Sequence, residues 1–461
     1  MEKEFTLLGA TYVPLVRTQN EHNSEQCFIL SVMTESASGL IVSPVQKIAV
    51  MHASVGSGHK VAAEAIEAAV EQWRDILTER FPSFNAIVEV ELFDILDFGK
   101  IKFDGDKTAS MFTGPTRPIY DITWRYFLTG RLIWGGGTAW SYLMFSAFTR
   151  WVRENKPVAV ICTHIVAANV AVGARMITKQ SYSIICVPTD YEIEGLWPHR
   201  YTDMFCVATE SMAETLRARK VEDERIRVTG LPARPEFRVD YDKTAVRNSW
   251  GVPLDKCIAI VLAGATLPRP YVRLRLLLDK ALEGLAAFDD LHLLFLVGQD
   301  NAYAEQLHAR IEELSMQNAS VISYTEDVSR LMAASDFAIC KPGGLTVTEC
   351  VCTETPMILA GHAYGQEKAN VRLLTSLGAA RHVETPRELV HATSSLIQPG
   401  NTALAAMSAA QEYLRRPDAA MEIGLAGLDA ALSPKDPHHD LRHSQRPFLS
   451  FYWGNKPAHT R

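Results

Sequence analysis

Short runs of apolar residues alternate with segments of helical spacing along most of this chain of 461 residues. Between residues 47 and 209 the runs read KIAVMHA, IVEVELFDIL, VAVICTH, SIICVPTD and MFCVAT. Runs this short and continuous are typical of strands buried on both faces of a parallel sheet, with the intervening helices as crossovers. The alternation therefore predicts an α/β fold.

A second series of apolar runs begins after a polar, proline-containing stretch and reads CIAIVLAGA, LHLLFLVG, SVISYT, FAICKP and PMILAG. The length of the chain also favours two domains over one. We therefore predict two doubly wound, Rossmann-like domains that face a central cleft, where ligands of such folds bind. The expected units are an N-terminal extension (1–46), a first domain (47–235), a linker (236–256), a second domain (257–415) and a C-terminal helix and tail (416–461).

Composition excludes several other classes of function. The net charge of −7 argues against nucleic acid as the main partner, because phosphate binding needs a basic surface. The eight cysteines have no paired spacing, so neither a disulfide framework nor a zinc site is expected. No divalent metal is expected either. Neither a signal peptide nor a membrane-spanning run of 18 apolar residues is expected.

The loop GSGH at residues 56–59 joins the first predicted strand to a helix. Its glycines, Gly56 and Gly58, would let backbone amides approach a ligand, and a helix start favours negative charge. The pattern is neither GxGxxG nor a P-loop, so a tight turn that binds nothing is the alternative. His59 is the candidate functional side chain of this loop, with a cap or a surface position as its alternative.

A second motif, KPGGLTVTE at residues 341–349, follows a buried strand and is followed by GQEKAN at residues 365–370. Two glycines at a helix start form a site for a diphosphate. Glu349 lies one turn into this helix, where a carboxylate can bind ribose hydroxyls or merely interact with the helix dipole. Gln366, Glu367 and Asn370 are side chains that suit the hydroxyls of a sugar.

An aromatic and basic stretch between residues 98 and 156 holds 13 of the 40 aromatic residues, with nine Lys or Arg against four acids. Such a stretch on an acidic protein suits docking on an anionic bilayer. An aromatic core with a charged, solvated face is the alternative. The residues predicted to contact this membrane, or a substrate that enters from it, are Gly56, Gly58, Trp124, Arg125, Arg131 and Trp134.

Taken together, GSGH, TGLPARPEF, LAGA and KPGGLTVTE…GQEKAN resemble the monogalactosyldiacylglycerol synthases and processive diacylglycerol glucosyltransferases of glycosyltransferase family 28. That group is similar in turn to the transferase that adds GlcNAc during lipid II assembly. The resemblance covers roughly residues 47–415, with the motifs in the family's order. It implies a GT-B fold and inverting transfer without a metal. It also implies UDP-galactose or UDP-glucose as donor, diacylglycerol as acceptor, and a peripheral position on the cytoplasmic side of a membrane.

The resemblance also assigns roles to the residues that match the family's motifs. Arg234, Gly343 and Gly344 correspond to the diphosphate site, Glu349 to the ribose site, and Gln366 and Glu367 to the donor-sugar site. A backbone group at Val328 corresponds to the reader of the uracil edge. The remaining donor-site residues are Gly264, Ala265, Thr266, Leu345, Thr346 and Asn370.

Inverting transfer needs a base that takes the proton of the acceptor hydroxyl, and Asp190 and His59 are both candidates. The alternative for Asp190 is a structural role at a strand end. The sequence departs from the family at ASVGSGH, at Glu194 and at GATLPR, which leaves the sugar and the acceptor open. A UDP-GlcNAc 2-epimerase, a lipid II-type GlcNAc transferase and a non-catalytic UDP-sugar-binding protein stay as alternative functions. The sequence fixes no oligomeric state.

Overall fold

The computed structural model describes residues 5–7, 10–12, 46–54, 57–80, 88–100, 143–193, 197–264, 271–398 and 400–432. Within these residues the chain forms two parallel six-stranded sheets flanked by helices. The α/β prediction with two Rossmann-like domains is therefore confirmed. A short antiparallel hairpin of β1 (Phe5–Leu7) and β2 (Ala10–Tyr12) lies within the predicted N-terminal extension.

The first sheet has the strand order β4-β3-β5-β6-β7-β8, and all of its strand pairs are parallel. Its central strands are fully buried, as continuous apolar runs predict. The strands are β3 (Gln46–His52), β4 (Val88–Asp94), β5 (Ala159–Cys162), β6 (Ser183–Cys186), β7 (Met204–Val207) and β8 (Ile226–Val228).

The second sheet has the order β11-β10-β9-β12-β13-β14, again with parallel pairs throughout. The strand order reverses between β9 and β12, which makes this the topological switch point of the sheet. Ligands are expected there, at the carboxyl ends of these two strands. The strands are β9 (Cys257–Leu262), β10 (Leu291–Leu296), β11 (Ala319–Ile322), β12 (Phe337–Cys340), β13 (Met357–Ala360) and β14 (Ala380–Val383).

The described residues form thirteen α-helices. In the first domain they are α1 (Ser57–Arg80), α2 (Ser146–Asn155), α3 (Ile165–Thr178) and α4 (Glu210–Ala218). The later helices are α5 (Lys243–Ser249), α6 (Val272–Ala286), α7 (Asn301–Glu313), α8 (Val328–Ala334), α9 (Gly344–Cys352), α10 (Glu367–Ser376), α11 (Pro386–Leu396), α12 (Ala403–Gln411) and α13 (Ala419–Leu432). Short 3-10 turns span Ile95–Phe98, Asp223–Arg225 and Pro235–Arg238.

The last helix, α13, returns to the first domain and packs against α1. The buried indole of Trp73 on α1 donates a hydrogen bond to the carbonyl of Met421 on α13, with an N–O distance of 2.9 Å. Because Met421, Ile423 and Leu428 belong to the same core cluster as β3, the helix completes one face of the first sheet.

The described part of the aromatic stretch forms core. Phe98 and Phe148 make an edge-to-face contact, and Phe148 stacks on Trp151. For these residues and for Phe145 the alternative interpretation, an aromatic core, is correct. Trp124, Arg125, Arg131, Trp134 and the glycines at 135–137 lie outside the described residues, as do most of the N-terminal extension and the tail from residue 433. Within the described residues, no helix combines the length and the apolarity that crossing a bilayer requires.

Trp73→Phe tests whether α13 is an integral part of the first domain. The substitution removes the indole donor and leaves the Met421 carbonyl buried without it, which should lower the free energy of unfolding by about 1–3 kcal/mol. Hydrogen exchange should accelerate at the amides of α13 and remain unchanged in α11, which serves as the internal control. Equal protection of α13 in both proteins would contradict this account of the interface.

Candidate functional site

His59 lies in the first turn of α1 and is fixed by groups from two other strand ends. Its Nδ1 lies 2.9 Å from the carbonyl oxygen of Thr163 and 2.9 Å from the hydroxyl of Thr189. In return, the Thr163 hydroxyl donates to the His59 carbonyl at 2.9 Å. The imidazole is therefore held at the edge where β3, β5 and β6 all end.

The contacts of His59 determine which ring nitrogen carries the proton. A carbonyl oxygen only accepts, so Nδ1 must carry hydrogen to bond Thr163. Burial lowers the pKa of His59 to about 4, and the imidazole is neutral at pH 7. Its Nε2 is then the basic nitrogen. The ring of His164 packs edge-on at 4.5 Å, and its Nδ1 accepts from Val166 as the N-cap of α3.

Asp190 follows Thr189 in the same loop, and it contacts the second domain. Its Oδ1 accepts a hydrogen bond from the side-chain amide of Asn370 at 2.8 Å and is also bonded by the backbone amide of Gly344. The two candidate bases thus occupy one neighbourhood, since Thr189 binds His59 and the next residue binds the start of α9.

Burial raises the pKa of Asp190 to about 6. The hydrogen bond from Asn370 and the charge of Lys341 lower it, whereas the carboxylate of Glu367 raises it, and the sum lies well above the ordinary value for an aspartate. A carboxyl with a pKa near the operating pH is suited to proton transfer, because it is largely ionised and still basic enough to accept a proton.

The start of α9 touches the loop of the first domain directly. A side-chain β-carbon on Gly344 would lie 2.0 Å from the Thr189 carbonyl oxygen and 2.8 Å from Asp190 Oδ1. Only glycine allows two backbones to approach this closely. Beside this contact, the Tyr191 hydroxyl lies 3.0 Å from that of Thr348. The sequence KPGG therefore provides the point at which the two domains meet.

The α9 helix start also has features of an anion site. Gly343 is its N-cap and, as a glycine, supplies no capping side chain of its own. Lys341 lies beside it and forms an ion pair with Glu367, with an N–O distance of 3.2 Å. Burial by itself lowers the pKa of Lys341, but Glu367, Tyr271 and Asp190 together raise it above its ordinary value, so the side chain is cationic. A positive helix end and an ammonium group thus lie together.

Lys341 was not among the residues with a role predicted from the sequence. The signal was present, because a lysine at the end of a fully buried strand needs an anionic partner. Thr189, which binds His59, was likewise missed, and only its position directly before Asp190 could have indicated it.

Glu349 and Arg234 form a second group of charges. Burial raises the pKa of Glu349 to about 7, Arg234 lowers it and Glu236 raises it. Arg234 pairs with Glu236 at 3.1 Å and lies over the ring of Phe237. Its buried Nε has no hydrogen-bond partner among the described residues.

The remaining predicted residues have varied surroundings. A β-carbon on Gly264 would lie 1.9 Å from the Val297 carbonyl oxygen, so packing alone requires glycine there. Val328 begins α8 and packs on the main core, and Leu345 is buried while Thr346 and Gln366 are half-buried. A β-carbon on Gly58 would meet open space. Outside the described residues lie Gly56, Glu194, Ala265 and Thr266.

Asn370 differs from its predicted surroundings. Its side chain is fully buried, and both of its amide hydrogens are used, by Asp190 and by the Pro342 carbonyl. Its Oδ1 accepts from the backbone amide of Tyr191. The structure therefore brings Asn370 to the candidate base, and not to a position open to a sugar hydroxyl.

Gly344→Ala tests the contact between the domains. The added methyl group must displace the Thr189 carbonyl, so the free energy of unfolding should fall by roughly 1–3 kcal/mol. Urea unfolding measures this loss. Gly58→Ala is the matched control, because its methyl group meets no atom, and its stability should be unchanged or higher. Equal stability of Gly344→Ala and the unmodified protein would contradict the close approach.

Two models of protein families match the chain. Residues 134–233 match the monogalactosyldiacylglycerol (MGDG) synthase model, and residues 260–423 match the glycosyltransferase family 28 C-terminal domain. The second match covers β9 to β14 together with the helix start of α9.

Two named relatives have modest sequence identity with this chain. A processive diacylglycerol beta-glucosyltransferase of Bacillus pumilus is 27% identical over 212 residues, which are 46% of this chain and 54% of that protein. In this match the chain spans about half the length of its relative. The enzyme of the same name from Bacillus cytotoxicus is 25% identical over 387 residues, which are 82% of this chain and 92% of that protein.

Solved structures support the fold. MurG of Acinetobacter baumannii superposes with a TM-score of 0.50 at 17% identity and covers 82% of this chain and 98% of its own. The UDP complex of S. aureus MnaA gives a TM-score of 0.53 at 14% identity and covers 82% of this chain and 95% of its own. The chain is thus similar to the MGDG synthases over residues 134–233 and to the C-terminal domain of glycosyltransferase family 28 over residues 260–423, on a GT-B fold, as its motifs predict.

Proposed function

We propose that this protein is an inverting glycosyltransferase that moves galactose or glucose from a UDP-sugar to the hydroxyl of diacylglycerol. The observation that carries the proposal is the position of Asp190. A carboxyl group with a pKa of about 6 lies at the start of α9, across the interface between the domains. A base and an anion site in contact are what transfer from a nucleotide-activated sugar requires.

The donor site would use the second domain. The positive helix end at Gly343–Leu345 and the guanidinium of Arg234 would bind the diphosphate, and Glu349 would accept hydrogen bonds from the ribose. The ion pair of Lys341 and Glu367 would lie beside the sugar. In this proposal Gln366 and Glu367 contact the sugar hydroxyls and Val328 meets the uracil, while Gly264, Ala265, Thr266 and Thr346 line the same site.

Transfer would proceed in one displacement. The oxygen of the diacylglycerol hydroxyl attacks the anomeric carbon as the bond from that carbon to the UDP oxygen breaks. The hydroxyl proton passes to Asp190, and the electron pair of the broken bond leaves with UDP. The positive end of α9 and Arg234 stabilise the developing charge on UDP, so no metal enters this proposal. His59, neutral with a basic Nε2, is the alternative base.

The acceptor would reach the cleft from a membrane. Leu143 lies shortly before α2, which begins at Ser146, and has 58% of its surface exposed. Arg150 and Arg153 are exposed along that helix. The backbone amide of Lys100 donates a hydrogen bond to the Met144 carbonyl, which brings an exposed lysine to this face. We propose that this basic face, together with Trp124, Arg125, Arg131 and Trp134, docks on an anionic, cytoplasmic membrane surface. The names of the two Bacillus relatives support diacylglycerol as acceptor.

UDP release from UDP-galactose and UDP-glucose, with and without diacylglycerol in anionic vesicles, tests the proposed reaction. Release should require diacylglycerol and should be faster with one of the two donors. Glu349→Gln replaces one of the two acceptor oxygens for the ribose hydroxyls with an NH₂ donor and should weaken binding of the UDP-sugar by roughly tenfold to a hundredfold.

Release of UDP without any lipid would contradict the proposal and indicate an epimerase or a hydrolase. Binding of UDP-sugar without turnover on any lipid would indicate a non-catalytic binding protein. Vesicles that contain the anionic lipid but no diacylglycerol are the control for membrane contact alone.

The dependence of kcat/KM on pH separates the two candidate bases. A base acts in its deprotonated form, so the rate rises as pH increases through its pKa. With Asp190 as the base, kcat/KM should fall about tenfold per pH unit below pH 6 and be level above it. A rate that stays level down to pH 5 would assign the base to His59, whose pKa is about 4.

A further inference from the structure

Asn370 holds Asp190 from the opposite domain. Its side chain is fully buried on α10, and its Nδ2 lies 2.8 Å from Asp190 Oδ1. We infer that Asn370 is the positioning residue that orients the Asp190 carboxylate for proton transfer, and that it is not a contact of the donor sugar. This inference rests on the proposed function for Asp190 as base.

The orientation of the Asn370 amide is fixed by three different partners. The Asp190 carboxylate and the Pro342 carbonyl, at 3.0 Å, can only accept, so both must face the NH₂ group. The backbone amide of Tyr191 can only donate, so it must face Oδ1, at 3.0 Å. Each of these contacts would be lost if the amide were reversed. The side chain therefore has one orientation, with both hydrogens used by the protein.

The partners of Asn370 link the parts of the reaction site. Asp190 and Tyr191 belong to the loop after β6 in the first domain. Pro342 belongs to the loop that leads from β12 into α9, where the diphosphate is proposed to bind. One buried amide thus sets the carboxylate relative to the helix start, and only when the two domains are in contact. Asp190 is oriented by Asn370 while the two domains are in contact, and it would lose this hydrogen bond if they separated.

The hydrogen bond also affects the charge of Asp190. An N–H donor stabilises the ionised carboxylate, so its loss should make the base harder to ionise and shift the acid limb of the rate to higher pH. A residue that only contacted the sugar would change the KM of the donor and leave this limb in place. The two roles therefore predict different kinetic signatures.

The experiment compares Asn370→Ala and Asn370→Asp with the unmodified protein, using UDP-hexose and diacylglycerol vesicles between pH 5 and pH 9. Asn370→Ala should lower kcat at pH 7 on the order of tenfold to a hundredfold, with little change in the KM of the donor. Its acid limb should move up by about one to two pH units. Asn370→Asp keeps the side-chain volume and should move the limb further, because two carboxyl groups would then share one proton.

Tyr191→Phe is the matched control. It removes a hydrogen bond between the same two segments, from the Tyr191 hydroxyl to Thr348, and leaves the contacts of Asp190 intact. Its acid limb should stay in place. A raised KM for the donor in Asn370→Ala, with kcat and the limb unchanged, would overturn the inference and restore the sugar contact.

Urea unfolding separates a failure of this inference from a failure of the proposed function. Losses of stability in Asn370→Ala and Asp190→Ala should be non-additive at pH 8, where the carboxylate is ionised, whether or not the protein turns over. Additive losses would overturn the inference even in an active enzyme. Coupled losses in a protein that transfers no sugar would retain the contact and reject the transferase.

Discussion

The close approach of the Thr189 carbonyl to Gly344 is the contact on which the site depends. It joins the carboxyl end of β6 in one sheet to the start of α9, which follows the carboxyl end of β12 in the other. Parallel sheets place their strand ends at one edge, and here two such edges meet through backbone. A side chain at position 344 would separate them. Glycine at this position therefore determines the distance between the two halves of the site as well as the shape of a turn.

Polar and charged groups from both domains surround this contact. Asp190 comes from the first domain, and Lys341, Glu367 and Asn370 come from the second. Burial favours the neutral form of the Asp190 carboxyl group. The hydrogen bonds from Asn370 and Gly344 and the charge of Lys341 favour the ionised form, and the balance leaves Asp190 with a pKa of about 6. Such a balance depends on the domains being together. Proton transfer and donor binding would thus be coupled through geometry, without a separate signal between the domains.

Much of this architecture was predictable from the sequence because buried parallel strands are continuous apolar runs. In the two six-stranded sheets the strands missed are β8 and β14, which are short and lie at the edges, where Arg227, Arg381 and His382 interrupt the apolar pattern. The return of α13 to the first domain was also missed, because helical spacing shows an apolar face but not which surface covers it. The helix start at Gly343–Gly344 was predicted to bind an anion from its glycines alone.

The sequence was less informative about partners. GQEKAN suggests a group of sugar-binding side chains, but Asn370 is turned inward and used by Asp190 and Pro342. Contacts between residues 180 positions apart depend on how the domains meet, and no local pattern encodes that distance. The same reason explains why Lys341 and Thr189 were not recognised. Local chemistry identified the groups, and only the fold showed which of them touch.

The anomeric configuration of the glycolipid formed from UDP-glucose or UDP-galactose tests the central claim most directly. These donors are α-linked, and one displacement assisted by Asp190 inverts the anomeric carbon. NMR of the purified product should therefore show a β-linked hexose on diacylglycerol. An α-linked product would contradict the single displacement, and the absence of any glycolipid would contradict the transferase itself.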